Sequence, residues 1–160
     1  MIPCTDFIPA YSELFKYLEK RGGPAAVLAF WEYLSDNFLT NLRDLVAAHG
    51  LRGCWLYWSH TLNEEAADFT MELDEEAGCF SITMHKCPSK GLLLACRHLE
   101  PYHDYCRHCD VLYRRVLEPM GYDYEVDMSG CDEACCAVII RDPTKSCGGE
   151  GESAGAANRD

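Results

Sequence analysis

The chain has 160 residues, 48% apolar and 11% aromatic, with 12 Gly and 7 Pro, which fits one globular core and excludes a wholly disordered or collagen-like polymer. Fourteen Lys and Arg against 26 Asp and Glu leave a formal charge of −12, which argues against nucleic acid or an anionic membrane surface as partner, since both are held mainly through basic side chains. No apolar run reaches the roughly 20 residues needed to span a bilayer, and Met1 to Asp6 has neither the basic start nor the apolar stretch of a secretory signal, so the expected location is cytoplasmic.

Pro9 to Arg21 carries Tyr11, Leu14, Phe15 and Leu18 at helical spacing and is stopped by Gly22-Gly23. Pro24 opens a second helix from Ala25 to Ala48, with Val27, Phe30, Trp31, Leu34, Phe38, Leu42, Leu45 and Val46 on one stripe and Gly50 as its stop. Cys54 to Trp58 fits a strand or a buried helix, and Thr61 to Ala67 tips the balance to helix by propensity. The period then changes to two: Phe69, Met71 and Leu73, a turn at Asp74 to Gly78, and Phe80, Ile82 and Met84 predict a hairpin. Pro88 to Leu99 and Asp104 to Leu117 read as helices, the second closed by Glu118-Pro119 and Gly121. Tyr122 to Met128 alternates, Ser129 to Glu133 turns, and Cys135 to Arg141 is rich in Val and Ile, a second hairpin. Residues 143–160 are dominated by Gly, Ser, Glu, Ala and Asn and are expected to form a disordered tail in which Cys147 is incidental. The expectation is a single α+β domain over residues 1–142, an antiparallel sheet from two hairpins packed on helices, with two N-terminal helices. None of GxxxxGK[ST], GxGxxG or GxSxG occurs, so the common nucleotide loops and the serine elbow are missing.

Eleven cysteines, about 7% of the chain, are the anomaly. An odd number in a reducing compartment favours free thiols, thiolate ligands or catalytic sulfur over structural bridges. Seven of them, with four of the six histidines, fall between His85 and Cys136. On the predicted helix Cys106, Cys109, Tyr113 and Val116 share one apolar face, His103 lies a turn earlier, and His108 sits at the edge of the stripe.

Four readings fit this group. Zinc, the one cofactor the pattern suggests, would be held by Cys87, Cys106, Cys109 and Cys136, CxxC being a ligand pair of suitable spacing; a bound water would then be the nucleophile. Alternatively a thiolate attacks directly: Cys87 first, because it stands where a strand ends and a helix opens at Pro88, and Cys106 second, with His108 or His103 moving protons. A redox role for Cys106-Arg107-His108-Cys109 lacks a preceding thioredoxin-like unit. In the plainest reading each cysteine is a small buried hydrophobe and His98 and His103 flank a loop at the surface. The seven carboxylates between Glu64 and Glu76 read as a solvated face, with Glu65 and Asp68 able to reach a pocket. Trp55, Tyr57, Trp58, Tyr102, Tyr105 and Tyr113 read as core.

Lys86-Cys87-Pro88, then Tyr105-Cys106-Arg107-His108-Cys109-Asp110-Val111-Leu112-Tyr113, Gly121, and Gly130-Cys131-Asp132-Glu133-Ala134-Cys135-Cys136-Ala137-Val138-Ile139 together resemble the L-2-amino-thiazoline-4-carboxylic acid hydrolase-like family. The end of the chain also looks like the related 4-vinyl-reductase-type small-molecule-binding domains. The resemblance spans roughly residues 54 to 141, and the final turn reads Cys-Asp-Glu-Ala-Cys-Cys-Ala where the family has Gly-Asp-x-x-Cys-x-Phe. It implies an α+β ligand-binding domain, carries roles to Cys87, Cys106, Asp110 and Cys136, and in the named member implies hydrolytic opening of a thiazoline ring. The resulting expectation is a hydrolase acting on a C–N bond of a heterocyclic or amide-like metabolite; the alternative is a non-enzymatic ligand or metal sensor of the same fold.

Overall fold

A computed structural model describes residues 6–65 and 67–145. Helix α1, Phe7–Phe38, is two arms joined at Gly23, which sits at φ 71°, a region open to glycine at little cost. Pro24 then occupies the first turn of the second arm, where its missing N–H is harmless. The stripe predicted to run to Ala48 is interrupted at Leu39, which leaves helical geometry and is buried. Helix α2, Thr40–His49, ends at Gly50, and α3, Leu51–Glu64, follows at once. A Cβ on Gly53 would lie 2.2 Å from the Leu45 carbonyl oxygen, so the close approach of α2 and α3 requires glycine there. The Cys54 to Trp58 segment is helical, as its propensity suggests.

The remaining elements are β1 (Asp68–Asp74), β2 (Cys79–Lys86), α4 (Pro88–Ala95), α5 (Arg107–Leu117), β3 (Asp123–Asp127) and β4 (Cys136–Arg141). Both expected hairpins are present, and β2 pairs with β4 to merge them into one antiparallel sheet of order β1-β2-β4-β3. Register sets the inner face in three rungs. Leu73, Phe80, Ile140 and Tyr124 form one; Met71, Ile82, Val138 and Val126 the next; Phe69, Met84 and Cys136 the third. Because side chains alternate along a strand, Cys136 joins this inner face; the Cys135 thiol beside it donates to the His85 carbonyl at 3.0 Å.

The inner face packs against Leu42 and Val46 of α2, Cys54, Tyr57, Trp58 and Leu62 of α3, and Val116 and Leu117 of α5. A second cluster joins both arms of α1 to α4 and α5 through Phe15, Val27, Trp31, Leu93, Tyr102 and Tyr105. Two buried serines tie these layers: the Ser12 hydroxyl oxygen accepts from the Tyr102 N–H and the Ser35 hydroxyl donates to the Leu112 carbonyl, both at 2.8 Å. Outside them Arg115 grips Asp36 at 2.8 and 3.0 Å.

Three boundaries differ from the sequence expectation. Helix α4 stops at Ala95, because Cys96 turns to ψ 87°. Helix α5 begins at Arg107, the preceding residues being a turn in which the Tyr105 N–H donates to the Tyr102 carbonyl. Pro143 to Lys145 belongs to the fold, as a turn capped by the Asp142 carboxylate through Thr144. The rest of the expected tail, with Cys147, lies outside the described residues, as does Cys4. Among the described residues no helix is long and apolar enough to cross a membrane.

Candidate functional site: a sulfur-lined cavity

Between the third rung of the sheet, the start of α4 and the first turn of α5 lies a cavity of about 190 Å³. Six of the nine described cysteines line it: Cys87, Cys106, Cys109, Cys131, Cys135 and Cys136. Trp58, Met84, Tyr113 and Met128 add aromatic and thioether surface, and His108, Glu65, Ser89 and Lys90 supply the polar points. Of the aromatics expected in the core, Trp58 and Tyr113 thus face the cavity as well, and Trp55 stands exposed. Cys54, by contrast, is fully buried in the core, where desolvation pushes its thiol up to about 12, and Cys96 closes α4 away from the cavity.

Each cavity sulfur has a local cause. Cys87 is the N-cap of α4, with its sulfur accepting the Lys90 N–H at 3.5 Å and Pro88 in the first turn. Its own N–H donates to the Ala134 carbonyl at 2.7 Å, which locks the β3–β4 turn against the head of α4. Ala134 holds φ 61°, the left-handed region disfavoured for any residue with a Cβ. This turn sets Cys131 beside Cys106, whose thiol it helps to raise. Cys109 follows on the inward face of α5, as the helical spacing predicts.

Burial decides the electrostatics. Desolvation pushes the Cys109 and Cys136 thiols up to about 12 and raises Cys106 further; Lys90 pulls Cys106 back only in part. At Cys87 burial likewise outweighs the hydrogen bonds from the helix N-terminus that favour thiolate, so the net direction is upward. Cys87, Cys106, Cys109 and Cys136 are therefore neutral thiols near pH 7. His108 moves the other way, held below the usual imidazole range by burial. Its Nδ1 faces the Tyr105 carbonyl, which can only accept, so Nδ1 carries the proton. The bare Nε2 stands 3.4 Å from the Cys109 sulfur and accepts from that thiol. Thus the imidazole is paired with Cys109, and neither Cys87 nor Cys106 has it.

The four residues expected to hold zinc, Cys87, Cys106, Cys109 and Cys136, all line this cavity. Among the described residues no group of three or more His, Cys, Asp or Glu side chains that could hold a metal ion is found. Two further expected residues lie elsewhere. His103 is 69% exposed, 3.8 Å from Glu19 on the outer surface. Asp110 accepts from Arg114 at 2.9 Å, and Arg114 in turn donates to the Tyr124 carbonyl at 2.8 Å, so the carboxylate fastens α5 to β3. Asp68 is exposed on β1, whereas Glu65 reaches the cavity mouth, its carboxyl raised by desolvation and then by Glu64 beside it.

Two residues escaped the sequence reading. Lys90 is 8% exposed, and among the described residues its ammonium meets no carboxylate; its charge is felt by the Cys106 thiol. Tyr124 is 2% exposed and its hydroxyl is buried with no hydrogen-bond partner. A lysine in the first turn of a helix opposes the helix dipole, and that was the one available sign. Tyr124 gave none, since alternation marks it only as inward. Comparisons with protein families, curated proteins and solved structures give no match.

Proposed function

We propose that the chain binds a compact small molecule, apolar over most of its surface and carrying one anionic or strongly accepting group, in the sulfur-lined cavity. The single observation that carries this reading is the pair Lys90 and Tyr124: a lysine only 8% exposed whose ammonium meets no carboxylate among the described residues, and a buried hydroxyl without a partner, both on the wall of one cavity. Leaving such a hydroxyl unpaired costs on the order of 1–3 kcal/mol. A ligand carboxylate supplies both missing acceptors, while Met84, Met128, Trp58 and the neutral thiols give polarizable contact to its body. The test is an NMR titration of the whole protein with small carboxylates and with their uncharged amides. The carboxylates should shift the resonances of Lys90, Tyr124 and Cys136 and the amides should not; equal response to both, or to neither, contradicts the proposal.

A second reading, hydrolysis of a C–N bond, is favoured by one specific geometry: the Cys109–His108 pair with its tautomer fixed by the Tyr105 carbonyl, an arrangement of nucleophile, base and orienting group. Because the thiol is held near 12, its proton must move during attack. The Cys109 sulfur bonds to the electrophilic carbon as its proton passes to His108 Nε2; that proton then goes to the leaving nitrogen as the C–N bond breaks. Water next attacks the thioester, His108 takes its proton, and the thiol is restored. This is the chemistry expected from the resemblance to the thiazoline-carboxylate hydrolase-like family, with Cys109 in the place first assigned to Cys87. Incubation with an activated anilide followed by peptide mass analysis should place the acyl group on Cys109 and lose it in Cys109→Ser; an adduct retained in that variant overturns the assignment.

A further inference from the structure

An open groove of about 600 Å³ lies outside the cavity, lined by Phe7, Ile8, Tyr11 and Leu14 of α1 and by Phe38, with Tyr105 behind them. Phe7 and Phe38 are 60% and 73% exposed, a concentration of large apolar side chains at the surface beyond what isolated exposed residues explain. The groove and the cavity share three wall residues, Glu65, Ser89 and His108. These are among the polar residues of both linings, so two apolar compartments meet at a polar waist. The Ser89 hydroxyl is 3.0 Å from that of Tyr105, and His108 reaches Cys109 on the inner side.

We propose that the ligand is an amphiphile occupying both compartments: an anionic head beside Lys90 and Tyr124, a polar linkage such as an amide at the Glu65–Ser89–His108 waist, and an apolar tail along Phe7, Leu14 and Phe38. This deepens the binding reading above and rests on it. The order of compartments fits such a molecule and no simpler one. A purely apolar ligand would leave Lys90 and the Tyr124 hydroxyl without an acceptor, and a head group alone would leave the outer groove uncovered. An amide at the waist also lies within reach of the Cys109–His108 pair.

The test is a titration of the full chain with N-acylglycines of increasing acyl length, from acetyl to decanoyl, read by NMR shifts. Each added methylene should tighten binding about fourfold, the equivalent of ~0.8 kcal/mol, until the tail passes Phe38. Phe38→Glu and Leu14→Glu should flatten that dependence, whereas Lys90→Met should weaken every member without changing the slope. Affinity independent of acyl length, or a slope unaltered in both groove variants, overturns the two-compartment ligand while leaving the inner binding reading in place. Should even acetylglycine fail to bind, the inner reading falls and the amphiphile falls with it.

Discussion

Two clusters share the segment from Tyr102 to Leu117 and are built on opposite terms. On the α1 side, Phe15 is fully buried with Trp31, Tyr102 and Tyr105 around it at ring separations of 5.3 to 5.8 Å, mostly edge to face, so the space is filled by large groups in favourable contact. On the sheet side, the same stretch of chain presents Cys106 and Cys109 to an open volume and leaves a lysine and a tyrosine hydroxyl unpaired. The α1 side carries one cost of the same kind, the buried Trp31 Nε1 without a hydrogen-bond partner, so what sets the sheet side apart is the open volume beside Lys90 and Tyr124 rather than an unpaired group alone.

The comparison breaks most readily by truncation. Phe15→Ala should cost roughly 3–5 kcal/mol by the usual penalty for emptying a packed aromatic site, whereas Cys136→Ala should cost about 1 kcal/mol or less, because its sulfur already borders empty space. Denaturant unfolding of the two variants decides this, and equal losses would mean that the cavity wall is ordinary core.

Thiol chemistry sharpens it next. With Cys109 and Cys136 raised from 9.0 to about 12, the thiolate fraction at neutral pH is roughly a thousandfold below that of an unfolded cysteine. Alkylation followed by mass analysis should therefore find these two slow in the native protein, speeding about tenfold per pH unit. The same shift links to stability. A thiol whose folded value exceeds its unfolded value lends stability that is complete below pH 9 and is lost as pH climbs toward 12. Unfolding midpoints should fall across that window, and Cys109→Ala should flatten the fall.

Smaller effects follow at the mouth and the outer surface. The raised carboxyl of Glu65 repels an anion while ionised, so carboxylate affinity should increase as pH falls through its range; Glu65→Gln should abolish that trend in a pH series of titrations. His103→Ala should change neither binding nor any acylation of Cys109, because His103 faces solvent beside Glu19.

Much of this architecture was legible from the sequence. Period-two alternation placed both hairpins, Gly22-Gly23-Pro24 placed the joint in α1, and Cys87-Pro88 placed a strand end against a helix start. Helical spacing put Cys106 and Cys109 on the inward face, and the sulfurs do share one cavity. What alternation could not supply was the β2–β4 pairing, a contact between residues far apart in sequence that sets Cys136 opposite Met84. Nor could spacing tell that His108 serves Cys109, since the preference is made by one carbonyl of the turn before α5. Asp110 was a site residue only through the family resemblance, and the Arg114 bridge to β3 gives it a structural task. Lys90 and Tyr124, on which the binding reading depends, signal function by lacking partners, and a sequence does not display the absence of a contact.

The most direct measurement compares stability and binding in Tyr124→Phe and Lys90→Met. If these groups wait for a ligand, each variant should unfold at a higher temperature than the parent in the absence of carboxylate and bind a small carboxylate at least tenfold more weakly. Variants that unfold at lower temperature, or that bind as the parent does, would contradict the account.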